Sequence, residues 1–380
     1  MLNSTQLNRL IDLRHTLHQN PELSGNEVNT AKAILSFLEQ CNPDQLIPDV
    51  GGHGIIAIWK GTKKGQNILL RADLDALPIQ ETNDLPYKSL KKAVSHKCGH
   101  DGHMAILCGV AINLANEKPE RGDIILLFQP AEETGQGAKA VMADKKFQAI
   151  EYDYAFALHN LPKKKKGTII CKNGSFCPAS TGLKINLLGK TAHASQPHTG
   201  NNPAMATAQI MFCFDRILET TEFMDKTLIT LTHTNIGEES FGVSAGHSEI
   251  WLTLRAFDNH DFDLLKFLIE RETKAIASKH NLGIKSSYHE SFEVTENDSE
   301  AVNIIKSVAK KQNLTYKVMR KPNPWSEDFG LFLKDNKGAM FGLGSGKKTP
   351  NLHNPDYDFP DEIIESGVQM FWGIIQELNN

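Results

Sequence analysis

Short, continuous runs of apolar residues, separated by segments with helical spacing, constrain the fold of this chain more than any other feature. The runs lie at residues 55–59, 68–70, 124–128, 154–158 and 339–343. A strand without polar alternation is typical of a sheet that is buried on both faces, because helices cover both sides of a parallel sheet. The sequence therefore predicts an α/β fold, in which a larger domain contains a mostly parallel sheet flanked by helices.

A second pattern interrupts the first between residues 181 and 293. Strands are predicted near 183–187, 227–232, 249–255 and 285–289, and helices near 202–218 and 261–279. The order β-α-β-β-α-β is the ferredoxin-like arrangement. We therefore expect a catalytic, metal-binding domain formed by residues 1–180 and 294–380, with a satellite domain of residues 181–293 inserted into it. The length of 380 residues suits two domains.

Charge and hydropathy exclude several classes of partner. The formal net charge of −4 gives no basic footprint for nucleic acid. No apolar run approaches the roughly 20 residues that span a bilayer. The first residues lack the basic and apolar regions of a secretory signal, so we expect a cytoplasmic protein that binds no membrane. The six cysteines are scattered, which does not suggest a disulfide framework in a chain of this length.

Polar side chains follow four of the predicted strands. Ligands bind beyond the carboxyl ends of the strands in open α/β sheets, so these side chains should meet at one edge of the sheet. Together with the segment 96–103, they supply five groups that suit divalent metals. These groups are Cys98, His100, Glu133, His159 and His353.

The segment from Cys98 to His103 holds the sharpest metal signal. Cys98 and His100 flank Gly99, which allows a tight backbone turn. Thiolate and imidazole are preferred ligands of zinc and its neighbours in the transition series. The spacing alone also fits the start of a helix with Asp101 in its first turn. His103 lies one helical turn after His100, and a supporting role suits it better than metal binding.

Two adjacent carboxylates, Glu132 and Glu133, form the second signal. A solvated acidic pair is the ordinary interpretation of such a sequence. Here the pair directly follows a buried strand and Pro130, where charges that face solvent are unusual. Two neighbouring carboxylates can divide their roles, because one can bind metal while the other acts as general base.

At these residues the sequence resembles the metallopeptidase family of aminoacylases, hippurate hydrolases, auxin-conjugate hydrolases and N-acetyldiaminopimelate deacetylases. The resemblance covers nearly the whole chain. Its motifs are Arg14 with Leu17–His18 and Pro21–Ser24, Arg71–Pro78, Cys98–His103, Phe128–Glu133, Gly189–Ala194, Ser326–Phe329 and Leu352–Pro355.

This resemblance implies hydrolysis of small N-acyl amino acids, such as N-acetyl or N-benzoyl conjugates, by two divalent metal ions. Zn²⁺ or Mn²⁺ is expected, and Co²⁺ or Ni²⁺ is possible. Cys98 would bridge the two ions, and the other four candidate ligands would complete their coordination. Glu132 would act as general base, and Asp75 would orient the ligands from behind the metals.

The resemblance further implies a homodimer formed through the satellite domain. His193 would help to hold the tetrahedral intermediate by reaching into the partner's active site. The other interpretation of His193 is a surface histidine on a loop.

The sequence departs from the family pattern in two places. The segment Phe241–Gly246 lacks an Asn that often contacts substrate, and Asn202 stands where Asp is common. These departures concern the acyl-amino-acid pocket and leave the metal residues unchanged.

Three other functions remain open from the sequence. A dipeptidase or aminopeptidase of the same fold would recognise a free amine. A cysteine amidase would use Cys98 as nucleophile with a histidine base, which leaves Glu132, Glu133, His159 and His353 without a role. A binding module without catalysis would not need the general base.

Overall fold

The computed structural model describes residues 2–379. Contacts divide the chain into two compact units. The strands are Gln45–Val50 (β1), Gly54–Trp59 (β2), Ile68–Asp73 (β3), Ile124–Gln129 (β4), Tyr154–Pro162 (β5), Ile169–Cys171 (β6), Gly174–Cys177 (β7), Ala179–Leu188 (β8), Ala192–His193 (β9), Thr227–Ile236 (β10), Val243–Ser244 (β11), His247–Ala256 (β12), Gly283–Phe292 (β13), Thr295–Asn297 (β14), Tyr316–Val318 (β15) and Lys337–Gly346 (β16).

Helices connect and cover these strands. The α-helices are Ser4–Gln19 (α1), Val28–Glu39 (α2), His100–Asn116 (α3), Gly137–Ala143 (α4), Lys145–Gln148 (α5), Ala204–Thr220 (α6), Asn259–Lys279 (α7), Ser299–Lys311 (α8) and Ile364–Asn379 (α9). Short 3₁₀ helices lie at Pro197–Thr199, Asp328–Leu333 and Asp361–Ile363. Within the described range 2–379, no helix is both long and apolar enough to cross a bilayer.

The larger unit comprises the described residues up to Phe176, then Thr295–Pro322, and the chain from Glu327 onwards. Its eight-stranded sheet has the order β1-β2-β4-β3-β5-β16-β6-β15. The four central strands β4, β3, β5 and β16 are parallel to one another. Antiparallel pairs lie on both sides of them, between β2 and β4 and between β16 and β6. The predicted α/β class is confirmed, and the sheet as a whole is mixed.

Helix α3 runs through the centre of the larger unit. Every residue from His100 to Leu114 on this helix is buried, since α1, α2, α9 and the sheet surround it. Close packing begins in its first turn, where a Cβ on Gly102 would lie 2.4 Å from the ring of Phe359. The start of α3 is therefore held inside the protein, at the same edge of the sheet as the ends of the parallel strands.

The smaller unit comprises Cys177–Val294 and Asn323–Ser326. Its four-stranded sheet has the order β10-β12-β8-β13, and all three neighbouring pairs are antiparallel. Alternate residues of β12 are buried, as expected for a sheet with one face against helices and the other open. Helices α6 and α7 supply apolar residues to the core of this unit.

Candidate metal centre

The structure brings the five predicted metal-binding side chains together beyond the carboxyl ends of the central strands. Among the groups of candidate ligand atoms that all lie within 4.8 Å of one another, three contain the predicted ligands and Glu132. The groups are Cys98, His100 and His159; Cys98, Glu133 and His353; and His100, Glu132 and Glu133. The first and second groups share the Cys98 sulfur, and the first and third share His100.

Individual distances show how closely these atoms approach. Cys98 Sγ lies 3.4 Å from His159 Nε2. His353 Nε2 lies 3.5 Å from Glu133 Oε2, and His100 Nε2 lies 3.7 Å from Glu133 Oε1. These donors surround a small region from different parts of the chain, as a pair of coordination sites requires.

The turn that carries Cys98 and His100 is fixed by the backbone of Gly99. Gly99 has a φ of +97°, a left-handed conformation that favours glycine, and a Cβ there would lie 2.7 Å from the side chain of Asn160. Asn160 Nδ2 in turn donates a hydrogen bond of 3.0 Å to the Cys98 carbonyl oxygen. Helix α3 begins directly after this turn, so Cys98 and His100 are presented to the same side.

Asp75 holds two of the candidate ligands from behind. His100 Nδ1 lies 2.9 Å from the Asp75 carbonyl oxygen and 3.3 Å from Asp75 Oδ1. Asp75 Oδ2 accepts hydrogen bonds from the Glu133 backbone N–H (2.9 Å) and from the Ser24 hydroxyl (2.7 Å). These contacts leave His100 Nε2 buried without a hydrogen-bond partner, as a nitrogen that binds metal should be.

His103 is engaged on both ring nitrogens. Its Nδ1 lies 2.6 Å from Asp73 Oδ1, and its Nε2 contacts the side-chain oxygen of Asn160. Asp73, His100 and His103 also meet the distance criterion for a metal group. Because both nitrogens of His103 already have partners, this arrangement favours a supporting role for His103.

The electrostatics of the centre favour added positive charge. Burial raises the pKa of the Cys98 thiol well above its usual value, and the nearby Glu133 and Glu132 add to the effect. Burial also raises the pKa of Glu133 to about 8, and burial together with Glu327 raises the pKa of Glu132 well above its usual value. In the absence of cations, burial therefore disfavours the charged forms of all three groups. Divalent cations would favour their charged forms, so the residues present fit a metal centre.

Sequence reasoning assigned no role to a buried charge cluster beside the centre. Arg71 pairs with Asp73, Glu327 and Asp328 at 2.8 Å each, and all four side chains are at most 1% exposed. Gln129 donates to both carboxylate oxygens of Asp328 at 2.9 Å. In the sequence these residues fall within the family motifs Arg71–Pro78 and Ser326–Phe329, but the motifs do not show that the four side chains pair in the interior.

A second buried network links α1 to the start of α3. His18 Nδ1 lies 2.8 Å from Asp101 Oδ2, and His18 Nε2 lies 3.1 Å from Glu81 Oε1. Arg14 pairs with the same oxygen of Asp101, which is the residue that follows His100 in the chain. Burial alone would lower the pKa of His18, but its hydrogen bonds to Asp101 and Glu81 raise that pKa to about 9.

This shift predicts a pH dependence of stability. The pKa of His18 rises from 6.5 in the unfolded chain to about 9 in the folded one. The protonated ring therefore stabilises the fold fully below pH 6.5, and this contribution disappears as pH rises through 9. Between pH 6 and 10, the free energy of unfolding of the metal-free wild type should fall by about 3 kcal/mol relative to that of His18→Gln. Urea unfolding across this range measures the difference.

His15 provides the control for this prediction, because it lies on the same helix but is 26% exposed. His15→Gln should retain the wild-type dependence on pH. A wild type and a His18→Gln variant whose stabilities remain parallel across the range would show that His18 is not protonated in the fold.

His193 lies in the smaller unit, where it is exposed. Its Nδ1 lies 2.8 Å from the Ser195 hydroxyl, which fixes the ring. Strand β9, which contains His193, pairs with β11 at Val243. The divergent segment Phe241–Gly246 therefore lies beside His193, and the Asn202 amide donates to Ser244 in the same segment.

Comparison with known proteins agrees with these features. The family model for peptidase family M20/M25/M40 matches residues 69–377. The chain is 32% identical over 364 residues to a hippurate hydrolase of Campylobacter jejuni subsp. jejuni, covering 94% of each protein. It is 34% identical over 366 residues to an N-acetyl-L-cysteine deacetylase of Bacillus subtilis, covering 95% of this chain and 86% of that one.

A solved structure has a similar fold. It is a dinuclear metal-binding peptidase of family M20 from Bacillus subtilis, with a TM-score of 0.84, 26% sequence identity and 98% coverage of both chains. The family match extends over most of the chain, and the family resemblance inferred from the sequence is confirmed. The chain belongs to peptidase family M20/M25/M40 and is a hydrolase of amide bonds.

Proposed function

We propose that this protein hydrolyses the amide bond of N-acyl amino acids, such as N-acetyl or N-benzoyl conjugates, with two divalent metal ions at the centre described above. The observation that carries the proposal is the pair of ligand groups that share Cys98, because their side chains together would supply donors for two divalent cations. The relatives named as a hippurate hydrolase and an N-acetyl-L-cysteine deacetylase support the substrate class.

The cations would be held by Cys98, His100, Glu133, His159 and His353. Zn²⁺ or Mn²⁺ suits this donor set, and Co²⁺ or Ni²⁺ could replace them. When bound, two such cations supply Lewis acidity, which makes water a stronger acid and stabilises developing negative charge.

Glu132 performs the proton transfers in this proposal. Its side chain is 5% exposed, and one of its oxygens lies 3.9 Å from His100 Nε2. Glu132 takes a proton from the attacking water and later gives it to the leaving amine. Asp75 keeps His100 and Glu133 oriented through the hydrogen bonds described above, so the reacting groups need no reorganisation.

For the smaller unit we propose an inserted domain of residues 181–293 with the ferredoxin-like arrangement. Its element order and its strand order support this assignment. We further propose that this domain forms a homodimer and that His193 reaches into the partner's active site. The exposed position of His193 supports this role. A cytoplasmic location is part of the same proposal.

The two rival enzymes receive less support. Cys98 as a nucleophile needs a thiolate, whereas burial raises the pKa of this thiol in the absence of a cation. A dipeptidase of the same fold needs an acidic partner for the free amine of its substrate, whereas Glu132 and Glu133 act as base and metal ligand in this proposal.

A substrate panel tests the proposed function. Metal-loaded protein is assayed with N-acetyl and N-benzoyl amino acids and with dipeptides that have the same carboxyl-terminal residue. We expect kcat/KM to be at least about 100-fold higher for the N-acyl compounds, because an unpaired ammonium group is costly to bury. A preference for dipeptides would replace this proposal with the dipeptidase.

A further inference from the structure

The candidate ligand His353 lies in an exposed part of the protein, unlike the other four. It belongs to the segment 347–360, which contains neither helix nor strand. His353 is 51% exposed, and its φ of +65° is a left-handed conformation that a non-glycine residue adopts at a cost. An imidazole in such a place binds metal tightly only if something holds its backbone.

Lys97 provides this support from the residue next to Cys98. Its carbonyl oxygen accepts a hydrogen bond of 2.8 Å from the His353 backbone N–H. Its Nζ donates a hydrogen bond of 2.7 Å to the carbonyl oxygen of Tyr357, four residues further along the same segment. One residue thus contacts the segment at two points and connects both of them to the Cys98 turn.

The ammonium group of Lys97 is itself fixed in place. Both Lys97 and Glu81 have side chains that are 0% exposed, and Lys97 Nζ lies 2.7 Å from Glu81 Oε1. Glu81 also accepts from the Ser89 backbone N–H at 2.8 Å and contacts His18. A buried ion pair with these additional bonds cannot readily exchange partners, so the position of Tyr357 is determined by the interior of the protein.

Other contacts support Tyr357 without replacing Lys97. Asn160 donates to the Tyr357 hydroxyl as well as to the Cys98 carbonyl oxygen. Asn83 donates to the Tyr357 carbonyl oxygen at 3.3 Å, a longer bond than that from Lys97. The ammonium–carbonyl bond is charge-assisted, and it is the stronger restraint of the two on that oxygen.

We propose that Lys97 is a positioning residue, which holds His353 against Cys98 and Glu133 and thereby sets the affinity of this group for its cation. The inference rests on the proposed function, because it needs a metal ion at the centre. Lys97 is not one of the candidate ligands, and it acts through the backbone of the 353–357 segment.

Titration of metal-free protein with Co²⁺ tests this role without an activity assay. Thiolate-to-cobalt absorption reports binding at Cys98, and calorimetry reports the affinity of each ion. In Lys97→Met we expect one of the two ions to bind about 10–100-fold more weakly, as is typical when a residue supporting a ligand is lost. The other ion should keep its affinity. Lys166→Met is the matched control, because Lys166 forms an exposed pair with Glu362. This variant should bind Co²⁺ as the wild type does.

A double-mutant cycle with His353→Ala separates positioning from general loss of structure. If Lys97 acts through His353, Lys97→Met should change Co²⁺ affinity less than about twofold in the His353→Ala background. Equal losses in both backgrounds, or unchanged affinity in Lys97→Met, would overturn the inference. Lys97→Gln, which keeps a donor but no charge, undergoes the same titration if Lys97→Met does not fold, with the same outcomes. A wild type that binds no Co²⁺ would instead overturn the metal centre itself.

Discussion

Replacing Glu132 with glutamine should lower kcat by about 10²–10⁴-fold while leaving the metal content unchanged. Glutamine has nearly the same shape and can still accept a hydrogen bond, but it cannot take a proton from water. Glu132 is buried in the turn after β4, and its neighbour Glu133 faces His353 and His100. Steady-state kinetics together with elemental analysis of the purified variant measure both quantities.

Glu27 offers a closely matched control for this substitution. It is a buried glutamate whose Oε1 accepts the backbone N–H of Ala131 at 2.8 Å, and Ala131 directly precedes Glu132 with a φ of +51°. Glu27→Gln retains an acceptor for that bond and should keep kcat within a few-fold of the wild type. If both variants lost activity equally, the geometry of the turn and not proton transfer by Glu132 would explain the loss. Undiminished turnover in Glu132→Gln would exclude Glu132 as the base.

The position of the centre could be predicted from the sequence because it follows from local patterns. The apolar runs at 68–70, 124–128, 154–158 and 339–343 coincide with β3, β4, β5 and β16, which are the parallel strands at the centre of the sheet. Parallel strands end at one edge, so the polar residues that follow them had to meet there. The α/β class and the meeting of the five candidate ligands both follow from this geometry.

Two features of the structure have no local signal. Antiparallel pairing beside the central strands depends on contacts between distant segments, as in the pairing of β2 with β4 and of β16 with β6. The buried charges are similar, because Lys97 binds the carbonyl oxygen of a residue 260 positions away. A lysine in the sequence indicates a solvated surface by default, and only its burial beside Glu81 reveals a different role.

The turn at Gly99 could be predicted only in part from the sequence. A glycine between Cys98 and His100 suggested a tight turn, and its φ of +97° agrees with this expectation. The sequence could not show that the Asn160 side chain fills the space beside that glycine. His353 is the reverse case, since nothing in its sequence context indicated its left-handed backbone.

Removal of metal should abolish activity and also destabilise the larger unit. We expect prolonged dialysis against a chelator to lower kcat/KM by more than about 10³-fold, and Zn²⁺, Mn²⁺ or Co²⁺ to restore it. Without cations, four of the five candidate ligands lie largely buried without compensation, and burial raises the pKa of Cys98 and Glu133. A ligand at 100 times its Kd stabilises a fold by about 2.7 kcal/mol, so the melting temperature should fall measurably on chelation.

Two buried cysteines of the same region separate metal binding from packing in this experiment. Cys98 belongs to two of the three ligand groups, whereas Cys108 lies on α3 at 0% exposure and belongs to the apolar core. Cys98→Ala should behave like the chelated protein and gain nothing from added metal, because the shared ligand is missing. Cys108→Ala should lose some stability to the small cavity but keep its metal and its response to chelation. Full activity after chelation, with a trapped acyl group on Cys98, would instead establish the cysteine as nucleophile and leave Glu133, His159 and His353 without a catalytic role.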